Sequence, residues 1–230
     1  GTSLVKDIFV GITGSGNTGS MIKIGNTTYF VATDASAGSE LWKTDGTTGG
    51  TVMVKDIRPG STGSGSGNFN KLGSNLIFTA SDGTNGNELW ISDGTSVGTV
   101  MLKDIRAGSN SSQAGTFMVS TSSILFSAND GIYGTNLWRT DGTVDGTYVV
   151  DNAAETPVQV ISTAADMNFA IGSTAAYFYG TGADGSALWR SDGTLARTFA
   201  IKDFYVPDDE SILDIAVTGN NTAFIIANEN

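Results

Sequence analysis

The sequence predicts an all-β fold built from repeated four-stranded blades, a β-propeller, and three observations predict it. Leu-Trp pairs recur at Leu41-Trp42, Leu89-Trp90, Leu137-Trp138 and Leu188-Trp189, at spacings of 48, 48 and 51 residues. Asp-Gly-Thr triplets beginning at Asp45, Asp93, Asp141 and Asp192 keep those spacings. An aromatic residue inside an apolar run marks five copies, at Phe30, Phe78, Phe126, Phe178 and Phe224. A period of about 40 to 50 residues with several short strands in each unit is the mark of a propeller blade.

The first unit justifies its elements in order. Strand a is "MIKIG" from Met21, strand b "TTYFVATD" ending at Asp34, strand c "ELWKTD" from Glu40, and strand d "TVMVKDI" ending at Ile57. Each is rich in Val, Ile, Thr, Phe or Trp and bounded by turn residues. The breaks "GN", "DASAGS" and "DGTTGG" supply the positive-φ positions that tight hairpins need, so all three join antiparallel neighbours. In strand c, Leu41 and Trp42 point to opposite faces, and both are apolar. Each sheet therefore needs a neighbour on both sides. No helical period of useful length is present.

Strands a, b and d occur five times and strand c four times. The opening "TSLVKDI" aligns with strand d, because Gly1-Thr2 matches Gly50-Thr51 and Gly98-Thr99. Asn230 follows the fifth strand b. The expectation is a single domain over residues 1–230, with five blades of about 48 residues, closed by the N-terminal strand pairing with the C-terminal hairpin. Four complete blades are the alternative, and an open stack comes third. Starting inside a repeat predicts a domain excised from a longer protein.

Composition narrows the partners. The 230 residues carry a net charge of -11, which repels phosphate backbones and anionic membranes and leaves room for a cation. No nucleic acid is expected as a partner. Cys and His are absent, so disulfides, zinc sites, thiolate catalysis and His-based triads are excluded. No run of 18 apolar residues occurs, so no membrane insertion is expected. The balance suits a secreted or cell-surface bacterial protein.

The phrases "ELWKTDGT", "ELWISDGT", "NLWRTDGT" and "ALWRSDGT" resemble the bacterial ELWxxDGT repeat proteins, which are secreted or cell-surface proteins. The resemblance covers nearly the whole chain. It implies a propeller-like β-repeat and an extracellular setting, and it implies no reaction. Units three and four depart from the pattern at Asn136 and Ala187, where Glu stands in the others, and at Asp151-Asn152 in strand d.

Each repeated residue has two readings. Trp42, Trp90, Trp138 and Trp189 could form a ring of sugar-stacking platforms, or pack between blades for ~2 to 3 kcal/mol each. The apolar Leu beside each favours packing. Asp45, Asp93, Asp141 and Asp192 could be calcium ligands, but each stands alone in its turn and fits an Asx-type turn better. No cofactor is therefore expected, with calcium the one metal considered.

The d–a loops and the b–c loops should share one rim, rich in Ser, Asn, Gly and Asp. Residues outside the repeat are the better candidates for ligand binding there: Tyr133, Tyr205 and Arg106, then Asp208 and Asp209. The expected function is an extracellular, lectin-like recognition or adhesion module that binds a surface glycan or protein of another cell. The alternative is a structural or oligomerisation unit of a surface fibre, a homo-oligomer through a stalk. A carboxylate-based hydrolase using "FYVPDDES" comes third, and the chain is not expected to be an enzyme.

Overall fold

Short runs of β-branched and aromatic residues, cut by Gly-containing turns, leave the chain only antiparallel hairpins to form. In the computed structural model the described residues are 1–10, 16–120, 122–132, 134–150, 159–160, 169–172, 174–182, 185–203, 212–218 and 222–227. The first blade is β1 (Gly16–Ile24), β2 (Thr27–Asp34), β3 (Gly38–Thr44) and β4 (Val52–Lys55), paired in that order. The second repeats it with β5 (Gly67–Leu72), β6 (Asn75–Ala80), β7 (Glu88–Ser92) and β8 (Val100–Lys103). The third has β9 (Gly115–Val119), β10 (Ile124–Asn129), β11 (Thr135–Thr140) and the short β12 (Tyr148–Val149).

A bridging strand, β13 (Gln159–Val160), precedes the fourth blade, β14 (Phe169–Ile171), β15 (Ala176–Gly182), β16 (Gly185–Ser191) and β17 (Phe199–Asp203). The hairpin β18 (Ile212–Val217) with β19 (Ala223–Ala227) follows. Register is constant through the repeat: Phe30 faces Trp42, Phe78 faces Trp90, Phe126 faces Trp138 and Phe178 faces Trp189 across strands b and c.

The core lies between blades. Leu41, Tyr29 and Val54 of the first blade pack with Phe78, Leu76 and Trp90 of the second. Leu89, Ile77 and Leu102 of the second pack with Phe126 and Trp138 of the third. Leu137 and Val150 of the third pack with Phe178 and Trp189 of the fourth. Leu41, Leu89 and Leu137 thus face the following blade and Trp90, Trp138 and Trp189 the preceding one, as the two-faced strand c requires. All four Trp side chains are buried within blades or their junctions, which removes them as open stacking platforms.

Polar ties repeat at the same junctions. Lys55 Nζ donates to the Thr99 carbonyl at 2.7 Å and Lys103 Nζ to the Thr147 carbonyl at 2.6 Å. Lys6 Nζ makes the corresponding bond to the Thr51 carbonyl, 2.7 Å, and Thr48 Oγ1 donates to the Val5 carbonyl. The opening residues therefore stand against the first blade as the strand d of a preceding blade would.

One expectation differs from the structure and another, the closing blade, is not confirmed by it. Residues 1–10 form no strand, and β18 pairs only with β19 among the described residues. Phe224 does not repeat Phe178: Ile215 and Val217 carry the packing on the fourth blade, and Phe224 is 58% exposed. Phe224 pairs with Ala216, one step out of phase with Ile215 and Val217, and a one-residue step turns a side chain to the other face.

Candidate functional site: the d–a and b–c rim

The Glu that precedes each Leu-Trp pair in the strands c of the first two blades builds this rim from beneath. Glu40 and Glu88 are fully buried. Glu88 accepts the Ile105 amide at 2.9 Å and the Ser112 amide at 2.7 Å, both from the d–a loop. Glu40 accepts the Ile57 and Arg58 amides at 3.2 and 3.3 Å. Burial raises the pKa of both above the usual Glu value, and the amide bonds oppose that shift. A carboxylate set under a loop in this way holds it to the blade.

Backbone bonds complete the latch. Ser64 N donates to Ser39 O, and Ser81 N of the next blade donates to Ser64 O, at 3.0 and 2.9 Å. Ser112 repeats this between Asn87 O and Asn129 N, at 3.2 and 2.8 Å. At the third junction the two-residue β13 takes the same place, pairing Gln159 with Asn136 on one side and Thr181 on the other. Gly38 and Gly63 let the loops meet backbone to backbone: a Cβ on Gly38 would fall inside the contact with Ser61 and Gly63. The d–a and b–c loops thus share one rim at these junctions, as the strand order predicts.

Asp34 and Asp82 are used inside the b–c turns. Asp34 accepts from Ser36 and Ala37, and Asp82 from Thr84 and Asn85. On the opposite rim, Asp45, Asp93, Asp141 and Asp192 each accept the amide and hydroxyl of the Thr two residues later, at 2.7 to 3.0 Å. Those bonds lower the pKa of Asp45, Asp93 and Asp141, led by the Thr hydroxyl. This is Asx-turn geometry, and no cluster of three acidic residues fit for a metal occurs among the described residues.

Among the residues expected to bind ligand, Arg106 is described. It is half-buried and lies over Gly131, its Nε 3.2 Å from where a Cβ would stand. Arg58 lies over Gly83 in the same way, so Arg106 belongs to the repeat and braces the next blade's b–c loop. Tyr133, Tyr205, Asp208 and Asp209 lie outside the described residues. Glu40 and Glu88 were absent from that candidate set. Their signal was an acid one residue before two apolar residues in a strand with both faces covered, where only a bonded carboxylate is tolerated. In the third blade Asn136 stands there, buried, with Oδ1 unpartnered among the described residues.

No family model matches the chain, and no curated protein matches it. Among solved structures it is similar to a puromycin hydrolase, at 12% identity and a TM-score of 0.43, over 93% of this chain and 36% of that one. It is also similar to a thermostable family-43 glycoside hydrolase, at 12% identity and a TM-score of 0.39, over 90% of this chain and 81% of that one. Both matched proteins are hydrolases. The expectation that the chain is not an enzyme is corrected on the chemistry of its own residues. That expectation rested on the lack of His and Cys, and such a lack removes only mechanisms built on those residues: paired carboxylates suffice for glycoside hydrolysis.

Proposed function

We propose that the chain is an extracellular recognition module, a five-bladed propeller that binds a surface glycan or protein through the rim where the d–a and b–c loops meet. One observation carries the reading. Loops of polar, Gly-rich sequence are latched from below by buried Glu40 and Glu88 and by backbone bonds across each junction. Loops that are already ordered lose less entropy when a ligand arrives, so more of the contact energy becomes affinity. The closing of the ring is part of the proposal, and the Lys6 bond to Thr51 supports it. The test is a glycan array and a cell-binding assay with the full chain, beside Tyr133→Ala and Tyr205→Ala. Saturable binding weakened at least ~10-fold in either variant is expected. Background signal throughout would overturn the reading.

The same rim carries a second reading. Strand β17 ends at Asp203 and β18 begins at Ile212, so the acidic "VPDDES" segment is the d–a connection after the fourth blade. Two adjacent carboxylates in a rim loop are the raw material of a carboxylate hydrolase. Turnover of chromogenic glycosides that is abolished by Asp208→Asn with Asp209→Asn would select this reading. Turnover unchanged by the pair would remove it.

A further inference from the structure

The end of strand a nearest the a–b turn is filled by a large side chain at two junctions and not at the third. Ile24 pairs with Thr27 and Leu72 with Asn75 to close the first two a–b hairpins. Both are buried. Leu72 and Ile91 lie 3.4 and 3.5 Å from where a Cβ on Gly142 would stand, and so plug the second junction against the third blade's c–d turn. At the first junction, the Tyr29 hydroxyl lies against Gly94 and Lys43 Nζ donates to the Gly94 carbonyl. In the third blade the closing residue is Ser120, whose amide donates to Ser123 O at 2.8 Å. Serine cannot fill the space of leucine, and here the fourth blade's c–d turn is met by Arg139, whose Cδ lies 2.9 Å from where a Cβ on Gly193 would stand, and by the Tyr148 hydroxyl, which donates to Gly193 O at 3.1 Å.

A cavity of about 220 Å³ opens at that junction, lined by Ser120, Ser122 and Leu125 from the third blade and by Ala175, Ser191 and Asp192 from the fourth. A second departure from the repeat meets it. Gly50, Gly98 and Gly146 follow their Asp by five residues, and Arg197 follows Asp192 by five. Among the described residues, Asp192 Oδ1 accepts from Thr194, and Oδ2 makes an ion pair with Arg197 at 3.6 Å, longer than a hydrogen bond. The cleft therefore offers a carboxylate oxygen, a turn hydroxyl on Ser122 and an apolar wall.

We propose that this cleft between the third and fourth blades is a binding site for a small neutral polyhydroxy compound, of the size of one sugar ring. The volume lies below the roughly 300 Å³ at which pockets begin to take drug-sized ligands, so it fits one ring and no oligomer. Vicinal hydroxyls would donate to Asp192 Oδ2 and exchange bonds with Ser122, with the C–H face against Leu125 and Ala175. The site lies at the other end of the strands from the d–a and b–c rim and does not depend on the rim reading.

The test is saturation-transfer NMR on the full chain with glucose, galactose, mannose, N-acetylglucosamine and myo-inositol, at millimolar concentrations suited to weak single-ring affinity. Ser120→Leu restores the residue of the second blade and is expected to keep or raise the melting temperature. Ser122→Phe covers the mouth from an exposed turn, and decides the matter if Ser120→Leu fails to fold. Saturable transfer from at least one compound, weakened ~10-fold or more in either folded variant, is the expected result. No transfer from any of the five, or transfer retained in both variants, would overturn the proposal. Neither substitution touches the d–a and b–c rim, so binding on a glycan array that survives them separates the two sites.

Discussion

At the scale of single residues, the buried acid of the repeat carries a load that its neighbours do not reveal. Removing it in Glu88→Ala strips the Ile105 and Ser112 amides of their acceptor in a buried site, at a cost of ~2 to 4 kcal/mol. Urea denaturation of the two proteins measures it. The acid also sets a pH dependence. Burial holds the folded-state pKa of Glu40 and Glu88 above the usual value, so the folded state keeps those protons to higher pH than the unfolded chain. The contribution of these groups to stability is then greatest below the unfolded pKa, falls as pH rises through the folded pKa, and levels off above it. Melting curves from about pH 4 to pH 8 should show this downward component shrink in Glu88→Gln. Asp93 brings a steric demand instead: a Cβ on Gly98 would meet its carboxylate. Gly98→Ala is expected to lower stability by ~1 to 3 kcal/mol, read by the same urea titration.

At the scale of the element, strand c is a two-sided spacer. Trp90 lies in the core shared with the first blade and Leu89 in the core shared with the third, so adjacent residues serve different junctions. In a stack of repeats, stability is close to a sum over neighbouring pairs. Trp90→Ala, costing ~3 to 5 kcal/mol, should raise hydrogen exchange most at Val54 and Leu76, while Leu89→Ala should raise it most at Leu102 and Ile124. Protection lost equally at both junctions in each variant would refute this division. The strands themselves were legible because they depend on local alternation and turn chemistry: the expected strand b over Thr27–Asp34 is the observed β2. The role of Glu88 was not, since its partner Ser112 is 24 residues away, beyond strands c and d, in a d–a loop whose composition does not mark which amide it offers. The role of Ser120 was equally hidden. The departure of Ser120 from Ile24 and Leu72 stands at the 48-residue spacing of the repeat, but that the position closes the a–b hairpin and faces the next blade is supplied by the register and packing.

At the scale of the whole molecule, the outward face of the first blade decides how the chain ends are used. Met21 faces Phe30 and Phe30 faces Trp42 across β1, β2 and β3, on the side turned away from the second blade. Met21 is 71% exposed and Phe30 half-buried, whereas the corresponding Phe78, Phe126 and Phe178 are fully buried. At the other end Phe224 is exposed on the side away from the fourth blade. Two apolar faces of this kind satisfy each other if the ring closes, and the Lys6 bond to Thr51 already seats the opening residues in the place of a strand d. Deleting residues 1–9 removes that bond and the Val5 acceptor of Thr48, and uncovers more of the first blade. A closed ring should then lose several degrees of melting temperature, as ~1 kcal/mol costs ~2 to 4 °C in a chain of this size, and the freed faces should drive association visible by light scattering. An open stack leaves both apolar faces uncovered before any deletion, so its full chain would already associate by light scattering, and that result would remove both the closure and the five-blade count that rests on it.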